Sequence, residues 1–393
     1  MATIFRTASR ARVSQSFIFS RHGLCTLPRI TVPDFAFAFD IDGVLVRSSR
    51  VLPGAHDALH YLQKNRIPFI LLTNGGGKSE ADRVAELSNT LGVKIDEVTF
   101  VQSHTPFANF DKLKQKNKTA LIVGGEGDKC QEIAKGYGFA NVVTPGDIFH
   151  ACPDIWPFSS VFSKYYDEFA KPLPKALYTP GMKLESSFKV DSILVFNDPR
   201  DWALDASVIL DLLLSHAGYL GTLSSKNNDP TLPNNGYQQD GQPELIFSNP
   251  DLWYAASYHL PRLGQGGFRN ALEGLWAACT HNATLSKTVM GKPSNATYAY
   301  AESKLLQHRR EISPADIPLR TVYMVGDNTE SDIKGANRWT GHSPKGVTWK
   351  SLLVTTGVYN EGGKFREDDA RPTAVVKDVL DAVRWAVRDS QAG

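Results

Sequence analysis

The chain has 393 residues, enough for two or three domains at about 150 residues each. Hydrophobic residues make up 42% and charged residues 21%, which excludes a disordered chain or a fibrous repeat. A net charge of +2 gives no global basic field of the kind that drives nucleic-acid binding, and Cys25, Cys130, Cys152 and Cys279 form neither a CxxC pair nor a Cys/His metal spacing.

Residues 1–33 carry Arg6, Arg10, Arg12, Arg21 and Arg29 and no Asp, Glu or Lys, with Ser, Thr and interspersed apolar residues between them. That is the composition of a mitochondrial transit peptide, because a basic amphipathic helix is drawn by a membrane potential that is negative inside. It predicts a protein of the mitochondrial matrix. No later stretch approaches the ~20 apolar residues of a membrane helix. Residues 35–39 (Phe-Ala-Phe-Ala-Phe) predict a buried strand that stops at Asp40. Helical spacing follows over 54–65, an apolar strand over 67–72, the turn Thr73-Asn74-Gly75-Gly76-Gly77, and a helix over 79–91. Strand–helix alternation of this kind predicts a parallel α/β sheet. A second alternation starts near 119, with strands at 120–123, 192–196 and 244–247 and helices at 128–136 and 202–216. Residues 151–190 and 224–243 read as a loop-rich insertion and a long loop. Helices at 268–280 and 296–311, strands at 321–325 and 351–355, and a helix near 376–388 complete the pattern.

Four short motifs sit where such sheets place their chemistry, at strand C-termini. Asp40-Ile41-Asp42-Gly43 offers two carboxylates that can divide nucleophilic attack and proton transfer. Thr73-Asn74 offers a hydroxyl and backbone N–H groups for phosphate oxygens. Lys292, in Gly291-Lys292-Pro293-Ser294, can neutralise a nucleophile and a transferring phosphoryl group. Asp327, with Asp332 five residues on, supplies hard oxygen ligands suited to Mg²⁺. The Gly77-Lys78-Ser79 run is no phosphate-binding P-loop, since Leu72 stands where that loop needs glycine. The lysines between 112 and 118 read as a solvated face and not a nucleic-acid patch.

In this order the four motifs resemble those of the haloacid dehalogenase (HAD) superfamily, from about residue 34 to the end. The segments DIDGVLVRSSRVLPGA, LLTNGGG, FSNPDLWYAASYHLPRLGQGGF, MGKPS and VGDNTESDIKGAN look most like its class IIA, and within that the cat eye syndrome critical region protein 5-like group. The resemblance implies a Rossmann-like parallel-sheet core with an inserted α/β type 2 cap. The divisions become 34–115 core, 116–265 cap and 266–393 core. It implies Asp40 as nucleophile and Asp42 as general acid/base, with Thr73, Asn74 and Lys292 on the phosphate. Mg²⁺ would be held by Asp40, the Asp42 main chain, Asp327 and Asp332. Asn249, Asp251 and Arg262 are expected at the active-site mouth. The implied activity is hydrolysis of a small phosphomonoester through an aspartyl-phosphate. A non-catalytic mitochondrial binding or assembly protein, and a phosphotransferase acting on a phospholipid-headgroup precursor, stay open as alternatives. A homo-oligomer is compatible with this organisation.

Overall fold

The computed structural model describes residues 33–47, 50–254, 258–313, 317–359 and 367–392; the expected transit peptide lies outside them, apart from Pro33. The Phe-Ala-Phe-Ala-Phe run forms β1 (Phe35–Phe39), buried on both faces. Alternation sends the three phenylalanines to one face, against Ala58, Leu59 and Val383 of the first and last helices. The two alanines face the other way. Their small size lets Tyr298, Ala301 and Trp349 pack close. Burying each phenylalanine is worth about 1.5–3 kcal/mol, so this strand anchors the first core.

β1 is joined by β2 (Phe69–Leu72) and β3 (Phe100–Val101). The chain then leaves to build a second sheet from β4 (Thr119–Val123), β5 (Asn141–Val143), β6 (Ser192–Val195), β7 (Glu244–Phe247) and β8 (Thr288–Val289). It returns for β9 (Thr321–Gly326), β10 (Thr348–Val354) and β11 (Ala374–Val376). The first sheet runs β11-β10-β9-β1-β2-β3 and the second β8-β7-β6-β4-β5. Every pairing within these two sheets is parallel.

The expected return to the first sheet at residue 266 moves to about residue 290. Helix Gln265–Cys279 buries Phe268, Leu272 and Trp276 in the second sheet's core, and β8 pairs with β7. The four-residue spacing marks a helix but does not say which sheet it covers. Inside the expected loop-rich stretch lies a short helix, Ser163–Phe169. Just before that stretch, helix Pro145–Ala151 opens with a Thr144–Asp147 capping box.

Candidate active site

β1 and β9 are neighbours, and from them the chain continues to opposite sides of the sheet. This is the switch point at which open α/β sheets form a ligand crevice. The register Phe39↔Val325 places the residues following both strands side by side. Asp40, Asp327 and Asp332 meet there, each buried, with carboxylate oxygens within 4.8 Å of one another. Lys292 arrives from the far end of the second sheet. Its Nζ lies 2.6 Å from Asp40 Oδ1 and 2.7 Å from Asp332 Oδ1. The ammonium thus bridges the two carboxylates.

Burying three carboxylates together disfavours their charge. Burial raises the Asp40 carboxyl against the pull of Lys292. Asp327 is pushed up to about 8 by burial and then by Asp40 and Asp332, and Asp332 to about 6 by burial with Lys292 opposing. Burial alone would lower the Lys292 ammonium, but Asp332 and Asp40 hold its pKa above the usual lysine value. One ammonium thus faces three carboxyls. That excess of hard oxygen donors over positive charge fits a divalent cation.

The local backbone is shaped to admit these groups. Gly43 turns the chain at φ +85°, and a Cβ there would overlap the Asp327 carboxylate. A Cβ at Gly357 would do the same. The Thr356-Gly357-Val358 loop after β10 closes round this carboxylate. Val358 N donates to Asp327 Oδ2 at 2.7 Å, and Thr356 Oγ1 donates to Gly43 O at 2.6 Å. Sequence reading missed this loop; its one signal is position, at the C-terminal end of the strand beside β9.

A family profile for haloacid dehalogenase-like hydrolases matches residues 37–140, and one for HAD-hydrolase-like proteins matches residues 289–382. A mitochondrial hydrolase of Saccharomyces cerevisiae is 38% identical over 371 residues, covering 90% of this chain and 95% of that protein. The chain belongs to the haloacid dehalogenase-like hydrolases. A cardiolipin synthase (CMP-forming) / mitochondrial hydrolase fusion protein of Schizosaccharomyces pombe is 36% identical over 358 residues. That match covers 91% of this chain and 53% of the fusion protein, so the chain spans about half of its length. The crystal structure of a glycerol phosphate phosphatase from Mycobacterium tuberculosis in complex with magnesium superposes with a TM-score of 0.51 at 18% identity. It covers 89% of this chain and 76% of that one, and the likeness shows the fold. In HAD terms the first sheet is the core and the second the cap.

The remaining expected HAD residues divide. Asp42 has an exposed side chain, yet protein crowding raises its carboxyl, with Arg83 and Lys292 pulling the other way. It lines a cavity of about 150 Å³ with Thr73, Gly75 and Arg83. Thr73 is buried, and its Oγ1 accepts from Gly75 N at 3.0 Å, which leaves the hydroxyl proton to donate. Asn74 has a further part. Its Nδ2 donates to Lys292 O at 3.0 Å and to Asp251 Oδ1 at 3.1 Å, and its Oδ1 accepts from Lys292 N at 2.7 Å. The side chain is spent on protein partners and clamps the Lys292 loop, so the expected phosphate contact would fall to the backbone N–H of Asn74. Asn249 and Asp251 join this clamp. Asn249 Nδ2 donates to Asn74 O at 2.9 Å, and its Oδ1 accepts from Asp251 N at 2.8 Å. Burial pushes the Asp251 carboxyl to about 6, opposed by Lys292. Arg262 makes none of the clamp's hydrogen bonds. It sits on an exposed hairpin, its guanidinium 4.6 Å from the Tyr258 ring centre. Arg83, beside Asp42, was not foreseen, because nothing in the helix period distinguishes it from its solvated neighbours.

Proposed function

We propose that the chain is a Mg²⁺-dependent phosphomonoesterase that works through an aspartyl-phosphate. The observation that carries this reading is the Lys292 ammonium held between Asp40 and Asp332 at the switch point, with Asp327 beside them. Asp40, Asp327 and Asp332, with the Asp42 main-chain carbonyl, would hold the cation, which supplies charge neutralisation and positioning of the phosphoryl oxygens when bound. Lys292 fixes one oxygen of Asp40 and so orients the carboxylate for attack. An Asp40 oxygen bonds to phosphorus as the ester P–O bond breaks. Asp42, its carboxyl raised by burial with Arg83 and Lys292 opposing, gives its proton to the leaving oxygen. It then takes a proton from water, which attacks the aspartyl-phosphate, releases phosphate and restores Asp40. The Thr73 hydroxyl and Lys292 hold the non-bridging oxygens. A cleft of about 1190 Å³ opens beside the Gly76-Gly77 turn, with Lys78 and Asp82 on the core side and Glu126, Lys129 and Arg200 on the cap side. It has room for the organic part of a small phosphorylated metabolite.

The magnesium-bound phosphatase of the same fold supports the cation. The names of the two mitochondrial relatives, with the acid-free arginine-rich residues 1–33, support a matrix location. The fusion to a cardiolipin synthase favours a second reading, a phosphoryl group transferred to or from a phospholipid-headgroup precursor. Phosphate release across a panel of phosphometabolites, with Mg²⁺, with chelator and with Asp40→Asn, tests the first reading. Metal-dependent release abolished in the variant supports it. Folded, Mg²⁺-binding protein that releases nothing overturns it; turnover only when an alcohol acceptor is added supports the transferase.

A further inference from the structure

His104 is fully buried, is used by none of the chemistry above, and stands where the core, the cap and the turn after Thr73 meet. Three elements press on it. The turn supplies Gly77, whose N–H donates to His104 Nε2 at 3.3 Å. The cap supplies Tyr137, whose hydroxyl lies 2.8 Å from His104 Nδ1, and Phe196, whose ring stacks on the imidazole at 5.3 Å. The start of helix Glu80–Leu91 supplies Glu80, whose Oε1 accepts from the Tyr137 hydroxyl and from Thr105 Oγ1 at 2.7 Å.

The direction of each bond follows from its ends. A backbone N–H can only donate, so Nε2 must carry the lone pair. Nδ1 then carries the proton and donates to the Tyr137 oxygen. The tyrosine proton is left for the carboxylate, which can only accept when ionised. The line Gly77→His104→Tyr137→Glu80 therefore runs one way and fixes one tautomer. Burial favours the neutral ring this arrangement needs, with Glu80 opposing. There is no slack beside it, since a Cβ on Gly76 would come within 2.9 Å of His104 Cδ2.

We propose that Tyr137 is a positioning residue through which the seated cap, by way of His104, sets the Gly75–Gly77 turn. The role of that turn in holding the phosphoryl group rests on the phosphomonoesterase reading. With the cap in place, Tyr137 completes the line and the Gly77 amide has a fixed acceptor. With the cap displaced, the imidazole loses its acceptor and is free to rotate, and the turn is no longer held in one geometry. Cap seating and phosphate-site geometry are thereby coupled without any substrate.

Tyr137→Phe removes only the hydroxyl, so the test begins there. Amide hydrogen exchange is measured on the full chain for the parent, Tyr137→Phe, Glu80→Leu and Glu80→Gln. The expected result is exchange at residues 75–78 at least tenfold faster in Tyr137→Phe and Glu80→Leu. Glu80→Gln, which keeps the acceptor oxygen, stays near the parent. Strands of both sheets keep their protection. Where the parent turns over 4-nitrophenyl phosphate, kcat falls in Tyr137→Phe by a larger factor than KM rises. Unchanged exchange at 75–78 overturns the proposal, and so does acceleration spread evenly over both sheets. The exchange readout needs no turnover. A parent that hydrolyses nothing sinks the phosphomonoesterase reading and leaves the coupling to be decided on its own.

Discussion

At the residue scale the buried carboxyls carry the most direct consequences. Burial, with Asp40 and Asp332 beside it, pushes the Asp327 carboxyl up to about 8 and favours its protonated form when no cation is bound. A divalent cation needs the carboxylate, so binding must expel that proton. Magnesium titrations by calorimetry in buffers of different ionisation enthalpy should show release of about one proton at pH 7, fading above pH 9. No buffer dependence would contradict the assignment of Asp327 as a ligand. Asn74 gives a second test. Replacing it by alanine leaves the Lys292 backbone N–H and C=O unpaired in a buried site. We expect a loss of about 2–3 kcal/mol in urea unfolding, with Asp251→Ala costing less and shifting substrate preference more than Mg²⁺ affinity. The sequence showed Asp40, Asp327 and Lys292 as chemistry-bearing residue types after strands or before a helix. It could not show that the Asn74 side chain clamps the Lys292 loop, because its partners lie 177 and 218 residues off.

The elements position these groups by where they end. β1 and β9 stop in register, and the turns after them need room for two carboxylates. Gly43→Ala would impose a Cβ on a left-handed backbone and on Asp327 at once. The expected outcome is a stability loss of at least about 1 kcal/mol and an Mg²⁺ affinity at least about tenfold weaker, measured by thermal unfolding and by calorimetry. A variant with parental Mg²⁺ affinity would show that the turn can relax without moving Asp327. Many elements were legible from their periods; β1, β4, β6, β7 and the seven helices given ranges above fall close to them, while the short helices Pro145–Ala151 and Ser163–Phe169 do not show. β3 and β8 are only two residues each and carry no period to read. The helix Gln265–Cys279 shows the complementary limit, since its apolar stripe is plain while its partner sheet is a tertiary fact.

For the whole molecule, the seam between core and cap should respond to acid. His104 sits at about 4 when folded against an ordinary 6.5, so the unfolded chain binds more protons between those values. The stability linked to this group is full above pH 6.5 and falls as pH drops toward 4, by on the order of 3 kcal/mol. Asp251, Asp332 and Asp327 have raised values and push the opposite way. The difference between the parent and His104→Gln isolates the effect: calorimetric Tm should converge as pH falls from 7 to 4. Parallel curves would refute a buried neutral His104. The order of the motifs disclosed a core interrupted by a cap, but not the seam itself, because Glu80, His104 and Tyr137 form no motif and meet only once both sheets are built.

β8 ends at Val289, and Lys292 follows three residues later. The last strand of the cap and the cation at the nucleophile are thus a single short tether. Asn74 of the core holds the Lys292 backbone, so a shift of the cap as a body must be taken up in Met290 and Gly291 or pull on that ammonium. Access and reactivity are geared together, so drift in the cap edge should trade one against the other. Lineages that broadened their substrate range would then be expected to vary the outer cleft wall and leave residues 288–292 alone.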